Sequence, residues 1–317
     1  MTDKNKLNPI NSLQLFGLDK YFAEFVKLFE KKNFPRVLLL SGEKGSGKFT
    51  LIFHLINYVL SKKSDNPYNY DEKTINESSF IYKEILSNTC QNFNYVPNAN
   101  EKKTSIENIR EIKRKFNNSL LNNMPRFVVF DDAELLNPYA ANSILKFIEE
   151  PSSSNYFVLI NNKKQNIIET IKSRALETKV FLNKNEKDKI LDKLLENNAT
   201  EDHFIYEFKN YTTPGKLIRF SECLKNLSID SDTSFYDISL ILLEKHKKTK
   251  DEVFLDCLGF FLEIKYTIKK NNNSTEVIGL INKKNNLMKL LYDYRKFNLT
   301  NKVVLEYIKT SQEIYAQ

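Results

Sequence analysis

The apolar positions of this chain fall into two regimes. Up to about residue 183, short apolar runs alternate with helical patterns; from Asn185 onward only helical patterns remain. Tyr21 to Glu30 sets Phe22, Phe25, Val26 and Phe29 on one side of an amphipathic helix. After Pro35, Arg36 to Leu40 is a short apolar run leading into a Gly-rich turn, the pattern of a buried parallel strand. Lys48 to Leu60 follows with Leu51, Ile52, Ile56, Val59 and Leu60 at helical spacing. Further strands are predicted at Phe127 to Phe130, Tyr156 to Ile160 and Lys179 to Leu182. Further helices are predicted near Glu77 to Leu86, from Ser105 through Ile106, Ile109 and Ile112, and over Asn142 to Glu150, where Pro151 stops the pattern. Residues 61 to 104 are polar and rich in Asn and Ser, and read in part as loop or insertion. Such alternation implies an α/β fold with a mostly parallel sheet and ligands at the carboxyl ends of its strands.

The second regime begins with three helical patterns, Glu186 to Asn197, Glu201 to Lys209 and Pro214 to Leu227. Asp232 to Lys248 and Glu252 to Lys270 follow. After a break at Asn271 to Ser274, Glu276 to Phe297 and Leu299 to Glu313 close the chain. No internal repeat is visible. The layout expected is an α/β domain over 1–183, a small helical domain over 184–230 and a helical C-terminal domain over 231–317.

Candidate chemistry sits at the first strand–helix junction, "LLLSGEKGSGKFT". Gly42, Gly45, Gly47 and Lys48 match a phosphate-binding loop. Glycines let successive backbone N–H groups face one centre at a helix N-terminus, and the lysine reaches the outer phosphates. The next position normally carries a Ser or Thr whose hydroxyl ligates magnesium; here it is Phe49. Thr50 lies one residue on, rotated by about 100° around the helix, a poor replacement without a local shift. Alternatively, Phe49 simply packs in the core, and both readings weaken catalysis. A second element, "FVVFDDAELLN", ends an apolar strand on Asp131, where a magnesium-associated acid is expected. Asp132 follows at the place of a water-orienting Glu, one methylene shorter, and Glu134 is nearby. Asp132 and Glu134 are also read as solvated or capping residues.

Composition narrows the rest. Of 317 residues, 41% are hydrophobic and 28% charged, which suits a globular chain with room for two or three cores. The formal net charge of +8 favours an anionic partner, nucleic acid first, although a lysine-rich solvated surface explains it almost as well. Residues 261–317 hold ten Lys/Arg against five Asp/Glu, yet no Arg-rich stripe or base-reading motif. Cys90, Cys223 and Cys257 are too scattered for a disulfide framework or a structural zinc site. The opening MTDKNKLNP lacks an apolar core and no stretch is long enough to span a bilayer. The expectation is a cytoplasmic protein with no membrane association.

These pieces, in order, resemble the clamp-loader family of AAA+ proteins. "LFGLDKYFAEF" resembles the family's opening segment, and the glycine loop follows it. "AANSILKFIEEP" is close to the family's A-N-A-L-L-K-x-L-E-E-P, "TIKSRA" to its T-I-x-S-R-C, and "YTTPGKL" to the segment carrying the second nucleotide sensor. The likeness is good from residue 11 to about 225. It implies an AAA+ P-loop domain, a helical lid and an all-helical oligomerisation collar. It also implies that Arg174 reaches into a neighbour's ATP site as a trans-acting finger, a task suited to a fixed, permanently charged fork of donors. From spacing alone, Arg174 reads as an ordinary surface salt bridge. Ala175 replaces the family's Cys, and Lys216 stands where motor subunits place the sensor arginine. Asn161 or Asn162 falls near the first sensor. The four-cysteine zinc module of many members is missing, since only Cys90 lies in that region, so no zinc is expected.

The function implied is a non-motor subunit with weak or no ATPase activity. Its implied partners are gamma/tau motor subunits, a delta subunit, the polymerase core, a sliding clamp and primed DNA. No cofactor is required by the sequence, and the loop is compatible with ATP or ADP held without hydrolysis. The alternatives are an active AAA+ motor, which must tolerate Phe49 and Asp132, and a basic DNA-binding accessory protein with salt-sensitive, backbone-directed affinity.

Overall fold

In the computed structural model five short strands lie parallel in one sheet, in the order β2-β3-β4-β1-β5. The structure describes residues 8–97, 124–136, 138–149, 151, 154–163, 165–196, 203–229, 233–272 and 277–313. The strands are β1 (Val37–Ser41), β2 (Phe93–Val96), β3 (Arg126–Phe130), β4 (Asn155–Asn161) and β5 (Leu176–Lys179). The helices between them are α1 (Asp19–Glu30), α2 (Lys48–Ser61), α3 (Phe80–Leu86), α4 (Pro138–Ile148) and α5 (Glu169–Lys172).

Strands β1 and β3 are buried at every position, and apolar apart from Ser41 and Arg126 at their ends, because both faces of the sheet are covered. Side chains alternate between those faces. Leu38, Leu40, Phe127, Val129, Val158 and Ile160 join one core with Phe22 and Phe25 of α1 and Leu51, Ile52, Leu55 and Ile56 of α2. Val37, Leu39, Val128, Phe130, Phe157 and Leu159 join a second core with Ala140, Ala141 and Ile144 of α4. The result is the three-layer α/β arrangement expected for a phosphate-loop domain.

The chain divides into two compact units, residues 1–201 with 213–215, and residues 202–212 with 216–317. Helix α6 (Lys184–Glu196) belongs to the first. Every regular element described in the second is a helix: α7 (His203–Phe208), most of α8 (Pro214–Asn226), α9 (Phe235–Thr249), α10 (Val253–Asn272), α11 (Val277–Phe297) and α12 (Asn301–Glu313). Leu242, Leu258, Leu262, Leu287, Val304 and Ile308 are buried in it. Ser234 caps α9 by accepting the Asp237 N–H at 3.1 Å, which satisfies one otherwise orphaned helix donor.

Helix α4 starts at Pro138, four residues before the expected Asn142, and other elements also differ from the sequence pattern. Strand β2 lies inside the polar stretch read as loop or insertion; four residues pairing only with β3 leave little apolar signal. Strand β5 is Leu176–Lys179, upstream of the apolar Lys179 to Leu182 run. As an edge strand paired only with β1, it is held by backbone rather than by burial. Helix α10 continues to Asn272, past the expected end at Lys270. The helix expected from Ser105 lies outside the described residues.

Candidate functional site

The carboxyl ends of the neighbouring strands β1, β4 and β3 bring three segments together. After β1, the Gly42 N–H donates to the Asn161 carbonyl at 3.1 Å, which ties the loop to the end of β4. Gly45 and Gly47 both have φ of +82°, and a Cβ at Gly47 would also come within 2.9 Å of Leu18. An L side chain is strained in that backbone region, so the curl needs glycine. Lys48 opens α2 and is almost fully buried. Its ammonium spans the loop, donating to the Gly42 carbonyl at 3.0 Å, the Glu43 carbonyl at 2.7 Å and Ser46 Oγ at 3.4 Å. Burial pushes the Lys48 pKa down to about 8, while the carboxylates of Asp131, Glu134 and Asp132 act against that fall.

From outside, the segment before α8 grips the loop. Thr213 Oγ1 donates to the Lys44 carbonyl at 2.6 Å and the Gly215 N–H to the Gly45 carbonyl at 3.0 Å. Because each peptide is planar and trans, the N–H groups of Gly45 and Ser46 turn to the other side. The Ser46 N–H makes a long turn contact of 3.3 Å to the Glu43 carbonyl. Glycine curl, helix N-terminus and lysine together fit nucleotide phosphates.

The acid side is held by hydrogen bonds. Asp131 Oδ1 accepts the Asp132 N–H at 2.9 Å and the Asn162 side-chain amide at 3.0 Å, and Oδ2 accepts the Tyr95 hydroxyl at 3.2 Å. Asn162 also donates to Asp132 Oδ1 at 2.7 Å, and its backbone N–H reaches both Glu134 oxygens at 3.1 Å. Asn161 instead serves the loop ends, donating to Ser41 Oγ at 3.3 Å and accepting from the Lys163 N–H at 2.9 Å. Of the two asparagines, Asn162 is the one that reaches the acids. Burial raises the Asp131 pKa and Asp132 raises it further, while the three hydrogen bonds oppose the rise.

Phe49 is buried, stacked on Phe53 with ring centres 5.9 Å apart and edge-on to Tyr95 at 4.5 Å. Thr50 is half-buried beside it. Tyr95, Ser46 and Thr213 are the contributors that the sequence left unassigned. The alternation of Phe93 and Tyr95 was the available signal, hidden in a polar stretch.

Arg174 is not part of this constellation. It lies between α5 and β5 with its side chain about a third exposed, paired to Glu149 at 2.9 Å and donating to the Thr170 carbonyl at 2.9 Å. Within the single chain it makes the surface salt bridge that spacing alone suggested. Lys216 lies half-buried on α8, in the second unit.

The family model described as DNA polymerase III, delta subunit, matches residues 17–183, more than half of the chain. The chain is 25% identical over 305 residues to a DNA polymerase III delta-prime subunit of Buchnera aphidicola subsp. Acyrthosiphon pisum, covering 92% of this chain and 82% of the relative. It is 26% identical over 189 residues to a gamma/tau subunit of Mycoplasma genitalium, covering 60% of this chain and 30% of that one. A solved DNA polymerase III gamma subunit-related protein from Thermotoga maritima superposes with a TM-score of 0.51 at 18% identity, over 90% of this chain and 96% of that one, and shares its fold. The phosphate loop on a parallel sheet, the helical remainder and these likenesses agree: the chain belongs to the DNA polymerase III clamp-loader subunits of the AAA+ class, in the delta-prime family.

Proposed function

We propose that this chain is the delta-prime-type member of a clamp loader that lends Arg174 to the ATP site of a neighbouring subunit and has weak or no ATPase activity of its own. The observation that carries the reading is Phe49. The residue after the loop lysine is a buried ring, where hydrolysis needs a hydroxyl. Arg174 supports the second half: a guanidinium on an exposed turn, held by one carboxylate, is free to exchange Glu149 for a phosphate at a subunit border. Its partners on this reading are gamma/tau motor subunits, a delta subunit, the sliding clamp and primed DNA. The three-part division at 183 and 230 into P-loop, lid and collar domains belongs to the same proposal, as does a cytoplasmic location. Among the described residues no helix is long and apolar enough to cross a membrane.

The test is the reconstituted loader with clamp and primed DNA. Arg174→Ala is expected to leave assembly intact and to cut turnover at the neighbouring site by roughly 10³-fold, the scale of an arginine supplied in trans. Unchanged turnover in a complete assembly would refute the role of Arg174. A second reading, an active motor subunit, draws support from the similarity to gamma/tau relatives. It requires magnesium-dependent turnover by the isolated chain.

A further inference from the structure

The phosphate loop and the acid pair differ in what they can still hold. The loop retains its glycine curl, and Lys48 lies across it. The thrice-bonded Asp131 faces a different environment. On β2, Phe93 and Tyr95 point to the same side of the sheet, towards α2. Tyr95 pairs in register with Val129, two residues before Asp131, so its hydroxyl reaches the carboxylate on the next strand. Its ring meets Phe49, which stacks on Phe53, and Phe53 in turn lies 6.0 Å from Phe93. The aromatic packing of the core thus continues to the end of β3 and finishes on a hydroxyl that donates to Asp131. A divalent cation there needs oxygen lone pairs and room for its waters. It would find one ring where the family's hydroxyl ligand belongs and a second whose O–H proton points at the acid. The residues present do not fit magnesium.

We infer that Phe49 and Tyr95 form a two-ring plug at the magnesium position, and that the glycine loop holds nucleotide phosphates without the metal. The inference rests on the reading of the chain as a non-hydrolysing subunit and gives that reading a structural cause. Phe49 removes a ligand, while Tyr95 occupies Oδ2 of Asp131 and packs against the ring of Phe49. The two act as a unit, so neither single reversal restores the site.

The test is titration of the isolated full-length chain with N-methylanthraniloyl-ADP, followed by fluorescence, in excess magnesium and in EDTA. The expected result is the same affinity in both. Binding that needs magnesium overturns the inference, and so does no binding in either, because the loop would then be closed to phosphates altogether. Phe49→Thr combined with Tyr95→Phe should bring a magnesium response of about tenfold or more. Phe49→Leu with Tyr95→Phe opens space but supplies no hydroxyl, and should bring none. A folded Thr variant without a magnesium response, or a Leu variant with one, overturns the assignment to these two rings. If the Thr variant does not fold, the wild-type comparison still decides. None of these outcomes bears on Arg174, whose test is made in the assembly.

Discussion

His54 is buried on α2 between two partners that fix its protonation. Its Nε2 lies 3.0 Å from the Ser12 carbonyl, which only accepts, so Nε2 carries the hydrogen; Nδ1, 2.9 Å from the Tyr68 hydroxyl, then accepts. Burial pushes its pKa from 6.5 down to about 4. Between those values the unfolded chain binds a proton that the folded chain refuses. The stability contributed by neutral His54 is therefore complete above about 6.5 and is lost as pH falls towards 4. The full loss is on the order of 3 kcal/mol. Urea midpoints near pH 7 and near pH 5 should differ in the wild type, and His54→Gln should flatten that difference. An equally steep dependence in the variant would reject this origin. The sequence marks His54 only as an isolated histidine in a buried or half-buried role; its partners are not legible there, because both are distant in the chain. Phe49 was the opposite case: its identity stood out against the loop pattern, while its geometric partner Tyr95 did not. A departure from a motif is visible locally, but what fills the space it leaves depends on which strand lies next door.

At the scale of elements, the junction between the phosphate loop and the start of α8 is built from backbone carbonyls. Thr213 is almost fully buried and spends its hydroxyl on Lys44. Thr213→Val keeps the shape and removes that hydrogen bond, with an expected cost of about 0.5–1.5 kcal/mol. Gly215 approaches Gly45 so closely that a Cβ would meet its carbonyl oxygen at 2.8 Å, and backbone yields poorly. Gly215→Ala should cost about 1–3 kcal/mol through displacement of the loop. Thermal melts of both variants check these costs, and a Gly215→Ala protein as stable as the wild type would contradict the close approach. The sequence carried "YTTPGKL" as a recognisable segment but not its contact, since residues 45 and 215 meet only through the fold. Strands β1, β3 and β4 were legible because burial on both faces gives each a central apolar run, with polar residues only at its ends. β2 and β5, at the sheet edges, are specified mainly by hydrogen bonding to a neighbour, which leaves little trace in side-chain pattern.

For the whole molecule, two compact units with separate cores imply that unfolding is not a single all-or-none event. Scanning calorimetry should give a van't Hoff enthalpy below the calorimetric one, or two resolved transitions; a single two-state transition would argue that the units melt together. The same consideration of total stability gives the ring stack at Phe49 a further meaning. A domain holds a margin of only about 5–15 kcal/mol. Replacing a buried phenylalanine by a small residue costs about 3–5 kcal/mol, most of it from the hole left behind. Threonine at this position would surrender a large part of that margin, and on the two-ring inference would bring no metal ligation until Tyr95 also changed. Folding stability alone is therefore enough to oppose a hydroxyl at position 49, whatever the demand for a metal.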